Sequence, residues 1–183
     1  MNNLSFDTPE GIIVLLTGPT GTGKTSVSWA LLTQFGEMIF LDCDWFASRL
    51  PFSWENDTDL KSVFQALSWM IEFHLHHGRK NFVLSMTIQM AENFTKYHHY
   101  FARWQLLMYA FRLRCEETEL RRRIHERDRT HLQKQQEIQG IHTAQIQFDT
   151  LFPDNTIFQL IDTTNLLENE VAEKIVTHIL KLR

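Results

Sequence analysis

The segment GIIVLLTGPTGTGKTSVSWALLTQF, residues 11–35, contains the pattern from which the fold of this chain is predicted. Five apolar residues from Ile12 to Leu16 predict a short buried strand, and the apolar residues after Ser26 recur at helical spacing. Between the two lies the segment Gly18 to Thr25, which follows the pattern G-x-x-x-x-G-K-T. We therefore predict a strand, a glycine-rich loop and a helix, an order that can bind a polyphosphate at the N-terminus of the helix.

Each residue type in this loop suits one part of a bound nucleotide. The glycines accept positive φ angles and have no Cβ, so that successive backbone N–H groups can turn towards phosphate oxygens. The ammonium group of Lys24 would contact the β- and γ-phosphates, and the hydroxyl of Thr25 would bind Mg²⁺. The loop residues that we predict to contact the nucleotide are Gly18, Thr20, Gly21, Thr22, Gly23, Lys24, Thr25 and Ser26.

Two carboxylates follow the second predicted strand, which runs from Met38 to Leu41. Strand alternation would place Asp42 and Asp44 on the same side, at the carboxyl end of the sheet where ligands bind. We expect Asp42 to hold Mg²⁺ or its waters, and Asp44 to accept the proton of an attacking hydroxyl group. The alternative interpretation is that the Asp pair only caps the next helix.

The composition indicates one globular domain over residues 1–183, with 43% hydrophobic and 22% charged residues. A net charge of −4 does not favour nucleic acid or an anionic membrane as a partner. Cys43 and Cys115 are too few for a disulfide framework or a zinc site. The first eleven residues lack the features of a signal peptide, and no run of about 18 apolar residues occurs. We therefore expect a cytoplasmic protein without a membrane span.

The region from residue 45 to 78 is predicted to bind a phosphoryl acceptor. Its first part is rich in aromatic residues and contains Pro51, so it either lines a pocket for an organic molecule or packs on the core. The apolar spacing from Leu60 to Leu75 predicts a helix that stops at Gly78. The histidines at its end, His74, His76 and His77, lack a carboxylate or thiolate cluster and do not indicate a metal site.

The segment from Phe82 to Met86 predicts a third strand, and Ala91 to Trp104 an aromatic-rich helix. Many P-loop ATPases carry an Asp for Mg²⁺ at the end of this strand, but Ser85 stands at that place here. This substitution disfavours a motor-type ATPase and leaves Asp42 as the acid nearest the metal.

A fourth predicted strand, Leu106 to Leu113, leads into an arginine-rich segment. Residues 113–142 are predicted to form a helix and a lid, with a mobile polar part at residues 131–140 and another short helix at residues 141–151. Arg123 and Arg127 are one helical turn apart and could reach a nucleotide together, where a planar guanidinium stabilises the charge of a transferring phosphoryl group. The alternative is a surface of ion pairs spaced i, i+4. The five candidate arginines are Arg121, Arg122, Arg123, Arg127 and Arg129.

The remaining sequence predicts a fifth strand from Thr156 to Ile161 and a final helix. Asn165 together with Glu168 resembles a capping box at the start of that helix. Five strands that alternate with helices predict an α/β fold, with a mostly parallel sheet and helices on both faces.

Three segments resemble the small P-loop kinases of the shikimate kinase, gluconate kinase and chloramphenicol phosphotransferase type, within the AAA-type ATP-binding proteins. They are LLTGPTGTGKT, FLDCDWF and FRLRCEETELRRRIHERDR. The resemblance implies the sheet order 2-3-1-4-5, and ATP with Mg²⁺ as cofactors. It also implies that Arg123 and Arg127, with Arg129 as a further candidate, contact adenine or the phosphates, and that the backbone around Thr163 runs beside adenine. The glycine-rich loop that binds shikimate in that family is absent here, where residues 85–89 read SMTIQ.

These features together predict an ATP- and Mg²⁺-dependent phosphotransferase that acts on a hydroxyl group of a small molecule. Lys24, Asp44 and Arg127 are its expected catalytic residues, and Thr25 and Asp42 its Mg²⁺ ligands. Two alternatives stay open, namely a nucleotide-dependent switch with a macromolecular partner, and a kinase that acts on a nucleic-acid end or a protein. The chain contains no N-K-x-D motif, so a GTPase is not favoured.

Overall fold

Five parallel strands form the centre of the structure, which is a computed structural model. They are β1 (Ile12–Thr17), β2 (Ile39–Asp42), β3 (Asn81–Ser85), β4 (Leu107–Arg114) and β5 (Gln159–Asp162). The strands lie in the order β2-β3-β1-β4-β5, and every neighbouring pair is parallel. The predicted sheet and its strand order are confirmed.

The structure describes residues 11–47, 53, 56–88, 98–99, 101–151 and 158–182. Its helices are α1 (Lys24–Phe35), α2 (Cys43–Phe46), α3 (Asp57–His76), α4 (Glu117–Glu126), α5 (His131–Leu151) and α6 (Glu168–Lys181). Within the predicted helix at 91–104, residues 98–99 and 101–102 are helical, and residues 91–97 and 100 lie outside the described residues. Among the helices that can be described, none combines the length and apolar character that crossing a membrane requires.

Alternate residues of β1 face two different helical layers. Ile12, Val14 and Leu16 pack with apolar residues of α1 and α6, whereas Ile13 and Leu15 pack with those of α3. All five side chains are fully buried, because helices cover both faces of a parallel sheet. The central strand therefore reads as one continuous apolar run and is held rigidly from both sides.

The strand registers bring the candidate site residues to one edge of the sheet. Leu16 at the end of β1 pairs with Ser85 of β3, and Ser85 in turn pairs with Asp42 at the end of β2. On the other side of β1, Thr17 pairs with Arg112 of β4. The glycine-rich loop thus leaves the centre of the sheet, with the end of β2 two strands away.

The arginine-rich part of the chain differs from its prediction. Residues 131–140 were expected to be a polar mobile lid, followed by a separate short helix, but α5 is one continuous helix of 21 residues. A few apolar side chains are enough to dock it: Ile138 and Ile141 pack beside α4, and Phe148 enters the core above α3. The glutamines that fill its other positions are good helix formers and stay compatible with the helix.

The ends of two helices show how local sequence sets their boundaries. The side chain of Asn56 accepts hydrogen bonds from the backbone N–H groups of Thr58 (2.9 Å) and Asp59 (3.2 Å), as an N-cap does. The predicted start of α6 at Asn165 is wrong, since the helix begins at Glu168. The backbone N–H of Leu167 donates to the carboxylate of Glu170 (2.7 Å), which fixes that later start.

Candidate active site

The glycine-rich loop has the backbone that the sequence predicts. Gly18, Gly21 and Gly23 have φ angles of 147°, 93° and 95°, a region that side chains with a Cβ rarely adopt. A Cβ on Gly18 would also lie 2.4 Å from the carbonyl oxygen of Leu113 on β4. The loop can therefore close against the sheet only with glycine at this position, and Gly23 forms the N-cap of α1.

Lys24 lies folded back onto the loop that it follows. Its ammonium group donates to the carbonyl oxygens of Gly18 (2.7 Å) and Pro19 (3.2 Å). Burial lowers the pKa of Lys24 to about 8, while the charges of Asp44 and Asp42 oppose this shift and that of Arg127 adds to it. The pKa of Lys24 thus depends on three of the predicted site residues, which lie on β2, on α2 and directly after α4.

Thr25 and Asp42 bring two side-chain oxygen atoms together at the start of α1. The hydroxyl of Thr25 donates to Oδ2 of Asp42 (3.2 Å), and Asp42 is almost fully buried. Burial raises the pKa of Asp42, against hydrogen bonds from the backbone of Asp44 and from Thr25. Mg²⁺ binds through one or two protein oxygens together with waters and substrate phosphates, so this donor set fits Mg²⁺. No cluster of three or more His, Cys, Asp or Glu side chains suited to a metal occurs within the described ranges.

The expected placement of Asp42 and Asp44 by strand alternation is wrong, because β2 ends at Asp42. The chain turns there into α2, and Oδ1 of Asp42 accepts a hydrogen bond from the backbone N–H of Asp44 (3.1 Å). Asp42 therefore does cap a helix, as the alternative interpretation stated, because Asp is among the strongest N-cap residues. Asp44 projects from the first turn of α2 into solvent, yet lies close enough to Lys24 to raise its pKa.

The structure separates the five candidate arginines by their partners. Arg121 and Arg122 form ion pairs with glutamates of α4 on its exposed face. Arg123 also pairs with Glu119, four residues before it, as the i, i+4 alternative expected. Arg123 donates to Glu119 (2.8 Å) and to the carbonyl oxygen of Thr163 (2.7 Å), so it joins α4 to the loop after β5. Arg127, directly after α4, and Arg129 both pair with Glu137 of α5.

A cavity of about 490 Å³ lies between the glycine-rich loop, α4 and the loop that follows β5. This volume is in the range of small-molecule sites. Arg123 and Arg127 line it together, and so does Arg122. The other lining residues are Gly21, Thr22, Gly23, Ser26, Val27, Glu119, Glu126, Thr163, Thr164, Asn165, Leu166, Leu167, Glu168 and Val171.

Thr163 ties the wall of this cavity to the glycine-rich loop. Its buried hydroxyl lies 3.2 Å from the carbonyl oxygen of Thr22 and 3.0 Å from that of Arg114. Its own carbonyl accepts from Arg123, so the backbone of Thr163 already has a partner inside the protein. The sequence predicts only a backbone role for Thr163. No local pattern could reveal this bridge, since Thr22 and Thr163 are 141 positions apart.

Sequence reasoning also missed Glu137 and the apolar cavity wall formed by Leu166, Leu167 and Val171. Glu137 stands among glutamines in a segment without apolar periodicity, where nothing distinguishes one acid from the surrounding polar residues. The only signal for an acidic partner was the excess of positive charge in the arginine-rich segment just before it.

Comparison with known proteins gives a family match and a set of similar folds. A family model of the AAA domain matches residues 13–148, which is more than half of the chain. No curated protein matches the sequence significantly.

Among solved structures, the tunicamycin resistance protein of Deinococcus radiodurans superposes with a TM-score of 0.67 and 15% identity, over 92% of this chain and 95% of that one. A gluconokinase from Sinorhizobium meliloti 1021 has a TM-score of 0.64 and 19% identity, with 94% and 93% covered. The shikimate kinase of Acinetobacter baumannii, in complex with shikimate, has 0.66 and 21%, with 95% and 96% covered. At these identities the likeness demonstrates a shared fold.

Proposed function

Because the chain belongs to the AAA domain family and has the fold of small P-loop kinases, we propose that it is an ATP- and Mg²⁺-dependent phosphotransferase. It moves the γ-phosphoryl group of ATP to a hydroxyl group of a small molecule. The observation that carries this proposal is the geometry around the glycine-rich loop, where Lys24 is folded onto Gly18, Thr25 contacts Asp42, and Arg127 lines the adjoining cavity. These residues supply the positive and negative charges that phosphoryl transfer needs on either side of the phosphate.

In this proposal Lys24 exchanges the carbonyl oxygens of Gly18 and Pro19 for phosphate oxygens. The exchange is favourable because an anionic partner replaces neutral acceptors around a charged donor. The N–H groups of the glycine-rich loop hold the same phosphates at the N-terminus of α1. The γ-phosphoryl group is thereby fixed above the carboxyl edge of the sheet.

Thr25 and Asp42 would hold Mg²⁺, and a 3.2 Å contact already joins their side-chain oxygens. Bound Mg²⁺ supplies positive charge that neutralises the β- and γ-phosphates. Ser85, which pairs with Asp42 at the end of β3, has no charge and cannot act as the acid beside the metal. Asp42 is therefore the proposed acid, and it directly contacts Thr25.

Asp44 is the proposed general base. It is exposed on the first turn of α2, so a substrate hydroxyl can reach it from solvent, and it lies near the cation that fixes the γ-phosphate. The carboxylate would accept the hydroxyl proton as the oxygen attacks phosphorus. Arg127 and Arg123 would stabilise the charge on the transferring group and on the nucleotide, from the wall of the 490 Å³ cavity.

The acceptor is proposed to be a small hydroxylated compound bound near residues 45–78. Two of the similar structures are named as kinases of gluconate and shikimate, both of which carry several hydroxyl groups. Shikimate itself is not proposed, because this chain reads SMTIQ at residues 85–89, where that family has a glycine-rich loop. Exposed Trp45, next to Asp44, favours an acceptor with an apolar part.

A kinase of nucleic-acid ends is less well supported. Arg121 and Arg122, which would form its basic surface, are engaged by Glu117, Glu119 and Glu126. Ion pairs of this kind neutralise the charge that phosphate backbones would need. The small molecule therefore remains the acceptor that we propose.

The test is transfer of label from γ-labelled ATP with Mg²⁺ into a pooled set of small hydroxyl compounds. We expect label in one acceptor, and its loss in the Lys24→Ala and Asp44→Asn proteins. Asp44→Asn should keep its affinity for ATP, because its side chain acts on the acceptor rather than on the nucleotide. Glu173→Gln on the exposed face of α6 makes the same type of change at a residue that does not line the cavity, and should behave as wild type. Slow release of free phosphate alone, unaffected by Asp44→Asn, would instead support the nucleotide-dependent switch.

A further inference from the structure

Glu137 of α5 contacts two arginines with one carboxylate. Its Oε2 accepts from Nη1 of Arg127 (3.3 Å), and its Oε1 accepts from Nη1 of Arg129. The side chain of Glu137 is 14% exposed, compared with 33% for Arg127 and 47% for Arg129. A carboxylate withdrawn from solvent is screened less by salt than one on the surface, so these contacts hold the arginines more firmly than exposed ion pairs would.

The helix that carries Glu137 is anchored to the rest of the domain. One turn further along, Ile141 is buried against Leu120 and Ile124 of α4. The side chain of Gln145 then donates to the carbonyl oxygen of Cys115 (2.6 Å), directly after β4. The position of Glu137 is therefore fixed by the core and does not depend on the short connection between α4 and α5.

Arg127 is a side chain that needs such support. It follows the last residue of α4, and its φ and ψ angles of −68° and 145° are extended, so the helix no longer determines its direction. A long, flexible arginine in this position loses considerable rotamer entropy when it is held in one orientation. In the orientation present in the structure, Arg127 lines the same cavity as Gly21, Thr22 and Gly23 of the glycine-rich loop.

We propose that Glu137 is a positioning residue, which holds Arg127 in the orientation that contacts the transferring phosphoryl group. The inference rests on the proposed phosphotransferase function. A guanidinium presents five N–H donors in a planar fork, so one edge can contact Glu137 while another contacts phosphate. The contact with Arg129 keeps the carboxylate of Glu137 on the same side, because both oxygens are then engaged.

The test compares Glu137→Gln and Glu137→Asp with wild type, in the full chain. Background ATP hydrolysis with Mg²⁺ gives the turnover number without an acceptor, and titration with a fluorescent ATP analogue gives the affinity. We expect Glu137→Gln to lower turnover by about tenfold or more, since a placed arginine contributes about 10³–10⁵ to phosphoryl transfer. Affinity should change by less than about threefold, because Lys24 and the loop N–H groups hold the ground-state phosphates. Glu137→Asp keeps the charge and should recover part of the rate.

Two further variants separate positioning from a structural effect. Glu117→Gln removes a carboxylate that is also paired with one arginine, Arg121 (2.6 Å), outside the cavity, and should leave turnover unchanged. In the Arg127→Ala background, Glu137→Gln should have no further effect on turnover, since a positioning residue acts only through its partner.

Two results would overturn the inference while the proposed function stands. One is an equal loss in the wild-type and Arg127→Ala backgrounds, which would show that Glu137 acts through the fold. The other is a rise in turnover for Glu137→Gln, which would show that Glu137 restrains Arg127. If wild type itself neither binds nor hydrolyses ATP, the proposed function fails and the role of Glu137 fails with it.

Discussion

Among single residues, Lys24 has a pKa that depends on whether the site holds an anion. Its ammonium group rests on two carbonyl oxygens of the loop, which are neutral, so burial is not balanced by a directly bound anion. For that reason its pKa falls to about 8 although two carboxylates lie nearby. A bound phosphate would supply the missing anion and should return the pKa towards the ordinary value of lysine.

We therefore predict that ATP binding is accompanied by proton uptake at alkaline pH. At a pH of about 9, Lys24 is largely neutral in the free protein and becomes protonated when phosphate binds, whereas at about pH 6.5 it is charged in both states and no uptake occurs. Calorimetric titrations at one pH, in buffers of different ionisation enthalpy, measure the number of protons taken up. The lowered pKa also lowers the free energy of unfolding. This contribution has its full size below pH 8 and disappears as the pH rises towards 10.5.

Lys24→Arg is the control for this prediction, because arginine stays charged at every pH used. The variant should bind ATP without proton uptake at a pH of about 9. Equal uptake in Lys24→Arg and wild type would assign the proton to another group.

Residue chemistry explains which site features could be predicted from sequence. The backbone of Gly18, Gly21 and Gly23 follows from the loop pattern, because only glycine adopts those angles readily. The relation of Asp42 to Asp44 could not be predicted in the same way. It depends on whether β2 continues past Asp42 or ends there. In the structure β2 ends and a helix begins, because the side chain of Asp42 caps that helix.

At the scale of elements, α5 shows the limit of reading periodicity. Its packed apolar residues, Ile138, Ile141 and Phe148, begin only at residue 138, so no amphipathic repeat marks residues 131–137 as helical in the sequence. The contacts that stabilise it are tertiary, among them Gln145 to Cys115. By contrast β1, α1 and α3 were predicted correctly, because each buries a continuous run or a full stripe of apolar residues.

Two glycine substitutions should have opposite effects on stability. Gly140 lies inside α5, and a Cβ there would meet nothing within 4 Å, so Gly140→Ala should raise the free energy of unfolding by about 0.5–1 kcal/mol. Gly18→Ala should lower it by about 1–3 kcal/mol, because its φ of 147° is strained for alanine and the Cβ would lie 2.4 Å from Leu113. Urea unfolding of both variants measures the two changes. A loss of stability in Gly140→Ala would mean that α5 is not helical at that position.

At the scale of the whole molecule, the site exists only when the chain is folded. Lys24 follows β1, Asp42 ends β2, Arg127 follows α4, and Thr163 follows β5 and bridges back to the loop at Thr22. These residues are far apart in sequence, and the strand order 2-3-1-4-5 brings them together. Nucleotide binding must therefore be coupled to folding of the entire sheet.

We predict that Mg²⁺ and ATP stabilise the protein in two separable steps. ATP at about 100 times its dissociation constant should add about 2.7 kcal/mol to the free energy of unfolding, because it binds only the folded state. Mg²⁺ should add a further increment, since Thr25 and Asp42 would hold it beside the phosphates. Thermal unfolding with EDTA, ATP, and ATP plus Mg²⁺ measures both steps.

In Asp42→Asn, the cap of α2 is kept because Asn caps as well as Asp. This variant should therefore retain the ATP step and lose the Mg²⁺ increment. Glu173→Gln, as a matched neutralisation on α6, should keep both. An unchanged Mg²⁺ increment in Asp42→Asn would leave Asp42 as a helix cap alone, and the metal would have to be held without this carboxylate.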